Sequence, residues 1–488
     1  MKTLFLIFLS IFMWNNVACA AETDTYVASG WCGGNVKWLL DGDGALVLSG
    51  SGEMSNYKSP SQIPWFNHCS DIKSVTISNG ITRIGDRAFY GCVNLNDIQI
   101  GNDMLSVGRW AFENTAYYES VSNWENGFLY IDDCLIGVSD TSISGVLDIR
   151  KGTKCIGDNA LYGCSELSGI ILPEGIKGIG NGAFERCSGL AEINIPTSVL
   201  FIGTEAFSSC KNLTQVFIPS NVIHIGEGIF NNCEKLMKAK FDLGMQYIAN
   251  RTFYGCDSLT EVIIPEGITR IGDYAFAGCL SLKELKIPKT LNNFGIGCFE
   301  GCTNLISAII PEGDVYISNN TYSGCTGLKT VVIPDGIKSI GRNAFSGCTG
   351  LKRVVFPKTL KNIYLNAFVG CTSVTEVEYN GSAEEWTRIE IDDGNECITG
   401  AKLICKGNDE IGFEYETDNG VFMIAPKNAP QGCIIIFSCT NGGELSFIDY
   451  AVYKGEKIVS FSPDENYDEF KILIWDSFEK MKPLCNTL

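Results

Sequence analysis

Histidine and cysteine are the residue types in this sequence that could supply nucleophilic or metal chemistry. The chain has two histidines, His68 and His224, and 22 cysteines. A catalytic triad or Cys-His pair needs a histidine beside its nucleophile, and no Gly-x-Ser-x-Gly motif accompanies either histidine. No Cys-x-x-Cys pair, metalloprotease motif or phosphate-binding glycine loop occurs. We therefore expect no catalytic residue, no metal and no cofactor, with His224 on the surface.

Paired carboxylates are the other enzyme-like feature of the sequence. Asp392-Asp393 and Glu384-Glu385 have the residue types that supply the acid and the base of a glycosidase. Adjacent residues of a strand point to opposite faces, so neither pair converges on one substrate. We interpret both pairs as charged turns and expect the protein not to be an enzyme.

The cysteines instead mark a repeat, because twelve of them stand three residues after an apolar anchor. The anchors are Phe66, Phe89, Phe112, Leu161, Phe184, Phe207, Phe230, Phe253, Phe276, Phe299, Tyr322, Phe345 and Phe368. Every step is 23 residues except the 49 residues between Phe112 and Leu161, and Thr115 takes the one place without a cysteine. This period predicts a repeat solenoid, in which each coil buries its apolar face against its neighbours.

One coil can be read at residues 259–279, where the pattern is L-x-x-V-x-I-P-x-x-I-x-x-I-G-x-x-A-F-x-x-C. Val262 and Ile264 have strand spacing and should both face inward, which leaves Ile263 outside. Pro265 cannot donate a ladder hydrogen bond, so the strand should end there.

The second half of the coil predicts a shorter edge and a turn. Ile268 and Ile271 should form a second inward-facing edge. Gly272 should allow a tight backbone bend, after which residues 273–278 can make about one helical or 3-10 turn. The predicted fold class is therefore a parallel β-strand stack with short helical or 3-10 turns.

This motif resembles the BspA-like, Treponema-type leucine-rich repeat family, and the resemblance covers residues 65–405. It implies a right-handed solenoid of the α/β horseshoe-like type. It also implies a binding or adhesion role on bacterial surface and secreted proteins.

The regular cysteines are a poor disulfide framework, because stacked cysteines on adjacent coils have parallel Cα–Cβ vectors. We interpret them as small buried thiols that pack and cap turns. A disulfide remains open for the cysteines outside the repeat position. These are Cys32, Cys134, Cys155, Cys298, Cys397, Cys405, Cys433, Cys439 and Cys485.

The first twenty residues have the features of a secretory signal peptide. Lys2 precedes an apolar run from Leu4 to Trp14, and Val17–Ala20 provides an A-x-A cleavage site. Lipidation of Cys19 is a weaker alternative, since Asn16 stands where an aliphatic residue is usual. We expect a secreted or cell-surface protein with no transmembrane segment after cleavage.

The chain is strongly acidic. Its formal net charge is −19, and removing residues 1–20 takes away one Lys and no acid, so the charge becomes −20. Such a surface repels nucleic acid and anionic lipid, so we expect no nucleic-acid partner.

The remaining segments divide as follows. Residues 21–64 predict a β-hairpin that caps the first coil, and residues 65–405 form the solenoid. The 49-residue step carries a hairpin insertion at about 113–145, which is either a binding loop or a decoration without function. A C-terminal cap at 374–405, with Trp386 over the last coil, is followed by a small β-sandwich at 406–488.

A candidate binding surface lies on the outward strand positions, the x of V-x-I. Solvent should favour polar residues there, yet several of these positions are large and apolar, and exposed apolar patches commonly mark binding sites. The residues of this candidate surface are Ile171, Phe217, Ile263, Ile309, Val332 and Val355. The alternative is that β-propensity alone explains them.

These features predict an exported, non-catalytic recognition or adhesion protein. We expect it to bind a protein or cell-surface partner through the solenoid strand face, and to be a monomer. Two alternatives remain open: a carbohydrate-binding accessory module and a structural spacer of the envelope.

Overall fold

The computed structural model describes residues 26–242, 244–311 and 315–406, and in the C-terminal segment 412–418, 421–427, 433–441, 444–454, 459–462 and 469–475. The signal segment, Cys19 and Cys485 lie outside the described residues. The chain divides into two compact units. The first holds the residues up to Gly189, Asn194–Phe207 and Asn221–Gly226, and the second holds Leu190–Ile193, Ser208–Ser220 and the residues from Glu227 on.

Each unit is built from stacked coils, which confirms the predicted solenoid. A coil has a first edge with a strand of two to five residues, a second edge with a shorter strand, and a turn edge that carries the anchor and the cysteine. In the coil at residues 259–279 these strands are Glu261–Ile263 and Arg270–Ile271. Val262 and Ile271 are buried and Ile263 is exposed, as the spacing predicts.

The strands of the first unit run as follows. One first-edge sheet consists of Tyr26–Trp31, Val36–Asp41, Ala45–Gly50, Ser74–Ile77 and Asp97–Ile100, and a strand pair of Gly145–Asp148 and Leu167–Ile171 follows. The second-edge sheets consist of Gly52–Glu53, Ile81–Ile84 and Ser106–Val107, and of Trp124–Glu125, Phe128–Ile131, Cys134–Val138, Cys155–Ile156, Gly178–Ile179, Phe201–Ile202 and His224–Ile225. The helices are the 3-10 turns Pro60–Gln62, Phe66–His68 and Val121–Asn123, and the α-helix Ala116–Glu119.

The solenoid strands of the second unit begin with Glu192–Ile193. Its first-edge sheets are Gln215–Ile218, Lys238–Phe241 and Glu261–Ile263, and Thr330–Val332, Arg353–Phe356, Glu376–Tyr379 and Lys402–Cys405. Its second-edge sheets are Tyr247–Ile248, Arg270–Ile271 and Asn293–Phe294, and Tyr316–Ile317, Ser339–Ile340, Asn362–Ile363 and Glu390–Ile391. Two α-helices of four residues, Ala383–Trp386 and Glu396–Thr399, lie near its end.

Stacked aromatic rings form the core of the turn edge. Phe253 lies between Phe230 and Phe276, with ring centroids 5.9 and 5.4 Å away. All three are fully buried. Tyr322 takes the same place between Phe299 and Phe345, at 5.6 and 5.1 Å.

The cysteines of the repeat cap the turn of the preceding coil. The Cys279 thiol donates to the carbonyl oxygen of Phe253 at 3.2 Å, and the thiols of Cys256, Cys302, Cys325, Cys348 and Cys371 make the equivalent bond. Cys397, which the sequence places outside the repeat, makes it too, with the oxygen of Phe368 at 3.2 Å. No disulfide bond joins Cys134 and Cys155, although their sulfurs lie 2.7 Å apart.

The turn edge corrects two expectations. The predicted helical or 3-10 turn is a run of β-turns, because the second residue after the glycine of the repeat motif, such as Tyr274 at φ +55°, has a left-handed conformation that ends a helix. Gly272 itself has no positive φ. A Cβ on Gly272 would lie 2.4 Å from the side-chain oxygen of Asn250 and 2.6 Å from the backbone nitrogen of Asn250. A glycine is therefore needed here because the two adjacent coils approach closely.

The first coil corrects its predicted anchor. Phe66 is exposed and begins a 3-10 turn, whereas Trp65 is fully buried and stacks on Phe89 at 5.3 Å. Trp38 of the N-terminal hairpin packs edge-on against Trp65 at 5.7 Å, so the hairpin covers this coil. The repeat alignment missed Trp65 because the 3-10 turn shifts the inward position by one residue.

The last coil extends further than the sequence predicts. Glu376–Tyr379, within the predicted C-terminal cap, pairs in parallel with Lys402–Cys405. Trp386 contacts the rings of Phe356 and Tyr379 at 5.7 and 5.4 Å. The segment 374–405 is therefore one more complete coil, which also explains the position of Cys397.

The C-terminal segment forms a small all-β region, as predicted. One sheet contains Gly412–Asp418, Val421–Lys427 and Val459–Phe461, and the other contains Ile434–Asn441, Glu444–Val452 and Glu469–Trp475. Phe422 of the first sheet and Phe437 of the second are buried with ring centroids 4.5 Å apart, so the two sheets share one core.

Candidate functional site

The outward strand positions give a partial apolar surface rather than a continuous stripe. In the first unit Ile171 is 54% exposed at the end of its strand. In the second unit Phe217, Ile263 and Val332 are 37%, 47% and 59% exposed. Ile309 is half-buried, and Val355 is 6% exposed.

Val355 is a correction, and the cause is a charged neighbour. Arg353 lies two residues earlier on the same face, and its guanidinium contacts both Glu376, at 3.0 Å, and Glu378. Glu378 is the register partner of Val355 on the next strand, so the Arg353 side chain extends along the strand over Val355. Glu378 is itself buried and also pairs with Lys406.

Ile309 is a second correction. The described residues around it form no strand, whereas the next outward position, Val332, lies in the strand Thr330–Val332. Its carbonyl oxygen accepts a hydrogen bond from the hydroxyl of Tyr322, the residue that replaces phenylalanine in the next anchor position. Ile309 and Val355 therefore do not belong to the exposed apolar surface, whereas Val332 does.

The structure does place Phe217 and Ile263 on one face. Phe217, Lys240 and Ile263 are register partners on three adjacent parallel strands of the second unit. The Lys240 ammonium lies over the Phe217 ring, 5.0 Å from its centroid. We refer to these three residues as the Phe217 patch.

An ion pair borders the Phe217 patch. Lys238 and Glu261, on the same face two residues earlier, are 3.2 Å apart and both exposed. An apolar centre with a charged rim is the usual composition of a protein interface. The arrangement presents apolar area flanked by charge.

The two histidines both lie in the first unit, and each contacts a neighbouring side chain. His68 pairs with Asp71 at 3.4 Å in an exposed turn, and His224 is exposed with its ring stacked on Phe201 at 4.9 Å. Over the residues that the structure describes, no three His, Cys, Asp or Glu side chains are grouped as metal ligands.

Sequence reasoning missed a buried polar network in the first unit. Arg83 and Asp158 form an ion pair at 2.7 Å, and Ser106 donates to Asp158 at 2.5 Å. Asn181 adds two hydrogen bonds to the Asp158 carboxylate, both 2.8 Å. This network lies where the 26-residue insertion interrupts the repeat.

The repeat motif could not have identified Arg83. The same four residues, Thr-Arg-Ile-Gly, occur at 82–85 and at 269–272, yet Arg83 is buried and Arg270 is exposed. The difference comes from the insertion, which brings Asp158 to Arg83 in the first unit. The irregular 49-residue step was the only available signal.

The chain belongs to the BspA-type leucine-rich repeat family. A model of this repeat region, in six copies, matches residues 63–135, 139–259 and 246–375, which is more than half of the chain. The family resemblance of the repeat motif is therefore confirmed. A comparison with curated protein sequences gives no match.

Several solved structures are similar to this chain. A leucine-rich cell surface protein of Faecalibacterium prausnitzii is 24% identical, with 77% of this chain and 100% of that one covered and a TM-score of 0.40. A leucine-rich repeat protein of T. pallidum is 24% identical over 51% and 87%, with a TM-score of 0.26. The pneumococcal vaccine antigen PcpA is 14% identical over 78% and 97%, with a TM-score of 0.33.

Helices long and apolar enough to cross a bilayer are absent from the part of the chain that the structure describes.

Proposed function

We propose that this protein is an exported, non-catalytic recognition protein that binds a protein partner through the Phe217 patch. Membership of the BspA-type repeat family and the signal-peptide pattern at residues 1–20 support the surface role. The observation that carries the proposal is the exposure of Phe217 and Ile263 on paired strands with Lys240 between them.

The patch favours a protein partner because of its mixed chemistry. Phe217 and Ile263 offer flat apolar area of the kind found at interface centres. Lys240 and the nearby Lys238–Glu261 pair provide charge for orientation at the rim. A row of coil strands presents such residues from a rigid sheet, so little ordering is needed on binding.

A binding comparison of matched variants tests this function. The probe is a detergent extract of biotinylated surface proteins from host epithelial cells and from bacteria, captured on the purified chain. Any protein that binds the unaltered chain saturably should bind the Phe217→Ser/Ile263→Ser variant at least tenfold more weakly. The control variant Thr76→Ala/Gln99→Ala changes two exposed register partners on the strands of the first unit and should bind normally.

The same experiment distinguishes the two alternatives. The cells can be treated with protease or with glycosidase before extraction. Binding that survives the protease and disappears after the glycosidase would favour the carbohydrate-binding module. Saturable self-association without any captured surface protein would favour the envelope spacer. Unchanged binding of the Phe217→Ser/Ile263→Ser variant would contradict the Phe217 patch as the interface.

A further inference from the structure

Backbone hydrogen bonds join successive coils along the turn edge in the first unit. In two coils of this unit three N–H groups, two residues apart, donate to three carbonyl oxygens of the next coil. Before the insertion the bonds are Arg87 to Arg109 at 2.9 Å, Phe89 to Ala111 at 2.7 Å and Gly91 to Glu113 at 3.1 Å. After it they are Asn159 to Asn181 at 2.9 Å, Leu161 to Ala183 at 2.9 Å and Gly163 to Glu185 at 2.8 Å.

This hydrogen-bonded stack is interrupted at the insertion. The equivalent donors are the N–H groups of Trp110, Phe112 and Asn114, and the equivalent acceptors are the carbonyl oxygens of residues 158, 160 and 162. Within the described part of the chain no hydrogen bond joins these two rows. One row of donors therefore faces one row of acceptors, each with a spacing of two residues.

A cleft of about 590 Å³ lies between the two rows. Trp110 and Glu113 line one wall, and Asn159 and Tyr162 line the other. Residues 136–138, on a strand of the insertion, complete the lining. The Asn159 side-chain oxygen is buried near Gly182 without a hydrogen-bond partner among the described residues.

The cleft is a fixed feature of the fold. Ser106, on the coil before the cleft, donates to Asp158, on the coil after it, at 2.5 Å, and the amide of Asp158 donates to the carbonyl oxygen of Val107 at 2.8 Å. The insertion strand is tied to the coil after it, with Leu135 in register with Ile156. These contacts fix the positions of the two rows relative to each other.

The electrostatic character of the cleft is acidic. Glu113, Glu185 and Glu205 line it, while Asp158 is neutralised by Arg83 and Arg109 is the one cation among the lining residues. Burial and the neighbouring Glu205 carboxylate raise the pKa of Glu185, although Arg109 and Arg186 lie 3.9 and 3.7 Å away. A cationic group placed here would relieve that repulsion.

We propose that this cleft binds an extended peptide segment of a partner protein that carries a lysine or arginine side chain. A polypeptide main chain offers carbonyl acceptors to Trp110, Phe112 and Asn114 and amide donors to the opposite row. This is the main-chain recognition by which peptides add to an open backbone edge. The basic side chain pairs with Glu185 and Glu205.

A peptide selection tests the proposal. The probe is a bead-displayed library of random decapeptides, selected on the purified chain, with enriched peptides measured by fluorescence anisotropy. The enriched peptides should contain lysine or arginine. They should bind at least tenfold more weakly to the Glu185→Gln/Glu205→Gln variant, and N-methylation of their backbone amides should weaken binding to the unaltered chain.

Two control variants make the result specific. Glu300→Gln changes the repeat position equivalent to Glu185 in the second unit, where the bonds from Gly278 to Glu300 and from Gly301 to Ser323 are both intact at 2.7 Å. It should bind the peptides normally. The Phe217→Ser/Ile263→Ser variant should also bind normally, because this site does not rest on the Phe217 patch.

The opposing outcomes are equally definite. Failure to enrich any peptide, enrichment without basic residues, or equal affinity for the Glu185→Gln/Glu205→Gln variant would overturn the proposal. If N-methylated peptides bind the unaltered chain as tightly as the original peptides, the proposal is also overturned. This comparison uses no variant of the chain, so it does not depend on whether a variant folds. Glycan binding lost in the same variant would identify a carbohydrate site instead.

Discussion

Individual residues of the repeat show how one position serves many coils. The anchor phenylalanine fills the core by stacking on its neighbours, and the cysteine three residues later donates to the carbonyl oxygen of the preceding anchor. A serine hydroxyl could make the same bond, but the thiol is larger and less costly to bury. Both positions are therefore defined by contacts with the adjacent coil.

Phe253→Ala should destabilise the protein by about 3–5 kcal/mol, because it opens a cavity between Phe230 and Phe276. Lys240→Ala should cost less than about 1 kcal/mol, since Lys240 is exposed and loses only its contact with Phe217. Urea unfolding of the two variants gives the comparison. Equal losses would contradict the inward and outward assignments.

Buried thiols predict a loss of stability in alkali. Burial raises the pKa of Cys233 and of Cys302 from 9.0 to about 12. The unfolded chain then releases thiol protons above pH 9 that the folded chain retains. The stabilisation is fully present below pH 9 and is lost as the pH rises from 9 to 12.

The Cys302→Ala variant isolates one such thiol. Between pH 9 and 10.5 it should lose about 1–2 kcal/mol less stability than the unaltered chain, because one proton is no longer released on unfolding. Urea midpoints under a reducing agent at several pH values provide the measurement. The same pH dependence in both proteins would show that Cys302 ionises normally in the folded state.

At the scale of the elements, the coil was predictable and its turn edge was not. Period-two spacing located the strands, since alternation alone decides which side chains face inward. The role of Gly272 depends on Asn250, which is 22 residues earlier in the chain, so no local pattern could give it. Trp65 was missed for a similar reason, because the described residues of the other coils form no 3-10 turn at the anchor position.

Gly272→Ala should destabilise the protein by about 1–3 kcal/mol, since the new Cβ would overlap the backbone of Asn250. Gly34→Ala is the control, because a Cβ there meets nothing within 4 Å. That change should stay within about 0.5 kcal/mol of the unaltered chain. If the two alanine variants melt at the same temperature, the close approach of the coils is not the reason for Gly272.

For the whole molecule, the regular and irregular parts of the sequence carry different information. The 23-residue period was sufficient to predict the solenoid and its family, because the same contacts recur in every coil. The candidate sites lie where the repeat varies. Phe217 and Ile263 could be proposed from their outward register, whereas burial of Val355 depends on Arg353 and Glu378, and the cleft depends on hydrogen bonds that the insertion removes.

Photocrosslinking from the strand face tests the recognition function most directly. A benzophenone amino acid replaces Phe217 in one protein and Gln99, an exposed strand residue of the first unit, in another. Both are irradiated on host and bacterial cells. The proposed interface predicts a discrete protein adduct from position 217 and none from position 99. Adducts of equal yield from both positions, or none from position 217, would contradict recognition through the Phe217 patch.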